Sequence, residues 1–395
     1  MEKKTNPWII CAAGTLLVFC TVGLSTSAFS VYQPYLISVL GLTNAQSSLF
    51  LTIRTLSGLA ATFVVQEYLN RLGLSNGVFA AGLMIFAAFI LLGAAKGFAG
   101  AVISAVLLGA GYGLGGMVAV SVIINRAFAE HMGLALSICA AGTGVSAIIS
   151  PPIVTWAVER FSLKCSLFAE AVIILIAVTA VFMVLKSIPC SKTETASKKS
   201  EHRFSYLLKN RELRLCLMIM LFLGTIANVG WSHLSVLYKT AGMSATQVAL
   251  LISLSGAFLT VGKLAFGGCL ELLGARSVFT ISGVMMVIGL VLACLAGRCI
   301  MTLGIVSMLL LGLSLPMGTL CPGLFSRIFA KPEKFDYAVS KLQLMYMLGA
   351  LAFGPIPGVM ADASGSYVSS FMVMTCFGVV ICILIIMAFS VKKNR

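Results

Sequence analysis

Apolar residues run along this chain in blocks of about 20, the length an α-helix needs to cross ~30 Å of hydrocarbon. No charged residue occurs from Gly97 to Asn125, and none from Ser277 to Gly297. The blocks begin near Trp8, Ser47, Asn76, Phe98, Gly133, Ser166, Leu215, Val248, Ser277, Met301, Leu342 and Val368. They are too long and too uniform for helices of a soluble core. The pattern predicts an all-α membrane protein of twelve transmembrane helices. The first block follows Lys3 and Lys4 and shows no small-residue cleavage site, so it reads as a retained helix rather than a signal peptide.

The polar breaks between blocks repeat. Gly41-Leu42-Thr43-Asn44-Ala45-Gln46 returns 201 positions later as Gly242-Met243-Ser244-Ala245-Thr246-Gln247. The same offset carries Leu69, Leu72 and Gly73 onto Leu270, Leu273 and Gly274, and Asn125-Arg126-Ala127-Phe128 onto Ser326-Arg327-Ile328-Phe329. Three breaks sharing one offset imply two pseudo-symmetric six-helix bundles, 1–187 and 214–395, joined by a polar, charge-dense linker over 188–213. Duplicated membrane bundles commonly rock their halves around a central site to move a solute.

Composition narrows the class. Hydrophobic residues make up 59% of the 395 and charged residues 10%, against roughly 25% charged in soluble domains. Mean hydropathy is +1.06. The net charge of +15 does not signal nucleic acid. With the N-terminus inside, 20 of the 27 Lys and Arg fall in cytoplasmic segments, five outside and two within helices. Both termini are therefore expected in the cytoplasm of a multi-pass plasma-membrane protein. Short outer loops without a glycosylation acceptor suit a bacterial inner membrane.

Most of the 12 cysteines lie in apolar blocks as small hydrophobes, without metal-ligand spacing. No nucleophile–base constellation or phosphate loop is present, so an enzyme, a cofactor and a bound metal are not expected. Gly111, Gly113 and Gly116 formally fit a dinucleotide pattern, but no strand precedes them. They read instead as small residues at a helix crossing. Pro151-Pro152 are expected to end span five, and Pro355 and Pro357 to interrupt span eleven.

Two cations lie well inside spans, Arg54 in span two and Lys263 in span eight. A charge at mid-bilayer costs roughly 2.5–3.5 kcal/mol on insertion scales, so a retained one faces a cavity or a partner. They are the candidate binders of an anionic group, with snorkelling of Lys263 as the competing reading. Tyr32, Tyr112, Asn228, Trp231 and Tyr346 are candidates to orient the substrate. Interface belts and helix–helix hydrogen bonds explain such residues equally well. His233 is the candidate proton carrier, against a packing role. Glu170 is expected to snorkel or serve structure, with proton coupling as the competing reading.

Gly267-x-x-x-Glu271-x-x-Gly274-x-Arg276 resembles the cytoplasmic loop motif of the major facilitator superfamily, with Glu for Asp. The first-half copy keeps Arg71 and Gly73, but has Gln66, Asn70 and Ser75 at the other motif positions. The resemblance implies that Asn70, Arg71, Gly73, Glu271, Gly274 and Arg276 act as conformational latches. It also places spans two and eight at the interface between halves. Gly133-Leu134-Ala135-Leu136 running to Pro151-Pro152, and Gly354-Pro355-Ile356-Pro357-Gly358 with Asp362 to Tyr367, resemble the monocarboxylate transporters and the oxalate–formate antiporter group. Val261-Gly262-Lys263 falls where that group carries a substrate-binding arginine. No lysine stands beside Tyr346, so oxalate itself is not implied.

The expected function is secondary transport of a small organic anion, in the first instance a monocarboxylate, by proton symport or exchange. The expected partners are that solute, protons and membrane lipid, with no nucleic acid, and the expected state is a monomer. Alternatives are an efflux carrier for amphipathic compounds and a transporter-like membrane sensor.

Overall fold

A computed structural model describes residues 6–128, 132–186, 207, 209–296, 301–331 and 334–393. All regular structure among them is helical. Twelve helices are long and apolar enough to cross a membrane: α1 Pro7–Leu40, α2 Asn44–Val65, α3 Leu74–Ala94, α4 Phe98–Ile124, α5 Ile138–Arg160, α6 Leu163–Lys186, α7 Arg211–Thr240, α8 Ala245–Phe266, α9 Gly268–Ala296, α10 Met301–Phe329, α11 Tyr337–Ser364 and α12 Val368–Val391. The chain divides into two compact units, Met1–Glu194 and Thr195–Arg395. Most of the expected linker lies outside the described residues.

The 201-residue repeat encodes backbone geometry. Gly41 ends α1 in the left-handed conformation, with φ 65° and ψ 29°. Thr43 and Gln46 then close a reciprocal capping box at the start of α2. In the second unit Gly242 has φ 93°, and Ser244 and Gln247 exchange the same pair of hydrogen bonds before α8. The next turn repeats still more closely. The α2 helix runs on to Leu72 and stops at Gly73, with φ 81° and ψ 154°. Gly274 breaks the helical path between α8 and α9 with φ 75° and ψ 155°.

That last conformation is essentially restricted to glycine and costs about 1–3 kcal/mol for other residues. Gly41 instead occupies the left-handed region that asparagine tolerates. Neither Gly73 nor Gly41 has an atom within 4 Å of an added Cβ, so backbone strain alone decides. Gly73→Ala is expected to lower unfolding free energy by about 1–3 kcal/mol, while Gly41→Asn stays within ~1 kcal/mol. Denaturant unfolding of the two variants in detergent checks this.

Between helices in lipid there is little hydrophobic drive, so close packing and hydrogen bonds hold each unit. Within the first unit α4 presses on α2 through glycine: a Cβ on Gly109 would stand 2.1 Å from the Arg54 carbonyl oxygen, and one on Gly113 would stand 2.4 Å from that of Gly58. The glycine-rich stretch is thus a crossing surface. Ser104 of α4 donates to Ala88 O on α3 at 2.8 Å. In the second unit Ser307 of α10 donates to Gly289 O on α9 at 2.8 Å, and Gly289 is the repeat equivalent of Ala88.

Long helices break at matched places. The middle of α1, Phe19–Ala28, and of α7, Thr225–Gly230, is π-helical. α4 breaks at Gly116 and α10 at Leu315, just before Pro316. π-segments occur mostly at functional sites because their widened turns loosen backbone hydrogen bonding. The prolines behave differently from expectation. Pro151 and Pro152 do not end the fifth helix, which runs from Met132 to Arg160 through both. Neighbouring helices tolerate such an interruption in a membrane. In α11 the expected break is present, between Phe353 and Ile356.

Candidate functional site

The site in the first unit is built on the π-segment of α1. Arg54 of α2 donates Nη1–H to the carbonyl of Ser25 within that segment. Its guanidinium carbon lies 5.6 Å from the centre of the Phe29 ring, one turn further along α1. Phe29 in turn stacks on Phe50 with ring centres 4.7 Å apart. Tyr112, on the glycine-rich stretch of α4, lies within electrostatic reach of Arg54 and packs its ring against Gly58 of α2. Arg54 is partly exposed. A guanidinium offers five N–H donors, and here one is committed to a described residue. The others keep the planar fork that suits a carboxylate.

In the second unit Lys263 sits on α8, one residue past the point where Gly262 meets α10. A Cβ on Gly262 would stand 3.0 Å from Leu313 Cα and from Pro316. Lys263 is partly exposed. No hydrogen bond or ion pair joins it to another described residue, so its charge is not neutralised by a described carboxylate. Asn228 lies in the π-segment of α7 and spends one amide proton on Gly224 O, at 3.1 Å. Trp231 follows one turn later, and both are partly exposed.

The remaining candidates are more enclosed. Tyr32 is fully buried in the first unit, with its hydroxyl bonded to Ser166 at 2.8 Å. His233 is buried; its Nδ1 contacts Val229 O at 2.7 Å and its ring lies 5.7 Å from that of Tyr367. Tyr346 is 9% exposed and packs its ring over Gly318 of α10. The structure therefore brings Arg54 and Tyr112 together, while Asn228 and Trp231 are related only by their spacing along α7.

The loop residues Asn70, Arg71, Glu271 and Arg276 are exposed. Arg71 pairs with Glu67 on its own helix, Nε to Oε1 at 2.6 Å. An exposed pair at this spacing contributes only a few tenths of a kcal/mol. Glu67 was readable in the sequence from its i,i+4 spacing. Ser25 and Phe29 were not, since their role depends on the π-turn. Of the two roles expected for Glu170, snorkelling is excluded: it is buried, 6% exposed.

A family model for the Major Facilitator Superfamily matches residues 15–268. The chain belongs to the major facilitator superfamily. Solved facilitator-like structures share its fold at low identity. A point mutant of the nucleoside transporter NupG superposes with a TM-score of 0.80 at 13% identity, over 96% of this chain and 100% of that one. A D-xylose-proton symporter gives 0.76 at 16% identity, over 95% and 96%. A POT family transporter in complex with 5-aminolevulinic acid gives 0.73 at 14%, over 98% and 96%. A search of curated protein sequences found no match. This facilitator is thus a multi-pass membrane transporter, not an enzyme.

Proposed function

We propose that this facilitator moves a small organic anion, a monocarboxylate in the simplest case, by alternating access. The observation that supports this is a cation retained on a membrane-crossing helix in each unit: Lys263 without a described counter-charge, and Arg54 with most of its donors uncommitted. Such charges are expensive in hydrocarbon, and an anionic cargo supplies the missing partner. Asn228 and Trp231 offer an amide carbonyl and an indole to orient it, and the exposed loop residues bias one conformation over another. The bias of Lys and Arg supports cytoplasmic termini, and the short outer loops without a glycosylation acceptor support a bacterial inner membrane.

The test is uptake into proteoliposomes of labelled formate, acetate, lactate and pyruvate, beside uridine and xylose, with and without a pH gradient. Saturable uptake of at least one acid, and none of the neutral solutes, is the expected result. Uptake of uridine or xylose alone overturns the reading. Stimulation by an inward proton gradient separates symport from exchange.

A further inference from the structure

Glu170 is the one acid within the apolar length of α6. It is buried, 6% exposed, on the stretch of α6 whose Leu167, Ala171 and Ile174 belong to an apolar core cluster of the first unit. Neither carboxylate oxygen makes a hydrogen bond of ordinary geometry with a described residue. The Tyr32 hydroxyl faces it, but closes its bond on Ser166, one turn earlier on α6. Cys20, in the π-segment of α1, is the other titratable neighbour.

Among the described residues no positive charge compensates it. α6 packs against α3, α1 and α5. α3 carries no titratable residue at all. On α1 the titratable residues are Cys11, Cys20, Tyr32 and Tyr35, none of them basic. On α5 they are Cys139 and the terminal pair Glu159 and Arg160, the latter two exposed. The lysines of α6 itself stand at its ends, where Lys164 lies over the Phe168 ring and Lys186 over that of Phe182. An ionised carboxylate left unpaired at such depth is disfavoured, and the acid form fits the surroundings.

Further polar groups stand on the same helices. Tyr32 and Tyr35 stand one turn apart on the same face of α1. Tyr35 is half-buried and sits beside Glu159, exposed at the end of α5. The hydroxyl of Tyr35, and the side chains of Gln33 and Thr155 on the same stretches of α1 and α5, carry buried polar atoms unsatisfied by described residues.

We propose that Glu170 is a proton-binding site that holds H⁺ in the conformation described and exchanges it with water during the transport cycle. The carboxylate takes H⁺ from hydronium, forming one O–H bond, and returns it to water by breaking that bond; no electron moves. The site gives this transporter a proton to exchange during its cycle without involving Lys263 or Arg54. It therefore rests on the fold and not on the organic-anion reading.

The test uses the purified full-length protein in lipid nanodiscs, with the proton as probe. Infrared spectra are taken at neutral pH in H₂O and D₂O for the wild type, Glu170→Gln and Glu170→Asp. The wild type is expected to show the carbonyl stretch of an undissociated carboxylic acid that moves on transfer to D₂O. Glu170→Gln is expected to lose that band, and Glu170→Asp to move it. A band missing from the wild type, kept at full intensity in the Gln variant or insensitive to D₂O overturns the site. If the Gln variant does not fold, the Asp variant decides, and a band identical to the wild type's there overturns it too.

Discussion

Alanine at Gly224 or Gly349 is expected to strip the protein of its folded state at temperatures the wild type withstands. α7 and α11 cross there with their backbones in direct contact. A Cβ on Gly224 would stand 1.8 Å from Tyr346 O, and one on Gly349 1.9 Å from Leu221 O. Each obstacle is a main-chain atom, which cannot rotate aside. Thr225 also reaches across, donating to Gly349 O at 3.2 Å. A methyl group can enter only if the crossing opens, and packing is what holds such helices together in lipid. Overpacking costs roughly 1–3 kcal/mol where side chains yield, and the upper end or beyond applies here. Gly323→Ala is the control. That helical glycine has nothing within 4 Å of an added Cβ, so the change should be neutral or stabilise by up to ~1 kcal/mol. Thermal unfolding in detergent reads all three. Melting of the two crossing variants alongside the wild type would show that α7 and α11 lie further apart than described.

The second large effect is functional. Under the organic-anion reading, Lys263→Gln should cut uptake of whichever acid the wild type carries by about 10–100-fold. A hydrogen bond to a charged group contributes roughly 1.5–3 kcal/mol, and each 1.4 kcal/mol is tenfold. Lys263→Arg keeps the charge but not the shape, and should retain part of the rate. The amount of protein in the membrane should stay unchanged in both, because the described structure gives Lys263 no partner to lose. Uptake by the Gln variant at the wild-type rate would remove Lys263 from any binding role.

Much of the scaffold was readable because it is written in local chemistry. Apolar block length announced the twelve helices. The Gly-x-Thr/Ser-x-x-Gln breaks announced their ends, since a left-handed glycine followed by a capping box is a property of six residues. Gly73 and Gly274 were readable as a repeated turn for the same reason. The site was less legible because it depends on contacts far apart in sequence. Arg54 stood out as a charge in an apolar span, but its acceptor is a Ser25 carbonyl that only a π-turn presents. Glu170 read as either a snorkelling or a structural acid because it lies close to a helix end; its burial depends on packing between helices, which the sequence does not display. Pro151-Pro152 looked like a stop, since proline lacks an N–H and crowds the preceding turn. The interior of a helical bundle overrides that local rule.

The offset that aligns the turns does not align the charges. Carried through it, Arg54 falls on Ser255 and Lys263 falls on Thr62. Neither cation has a counterpart in the other half, and the positions they occupy differ by two turns of helix, about 12 Å of rise. The ancestor that was doubled bequeathed its corners and crossings to both descendants, but not a matched pair of positive groups. Under the organic-anion reading, the groups that select the solute differ between the halves, and exchanging Arg54 with Ser255 is not a neutral swap.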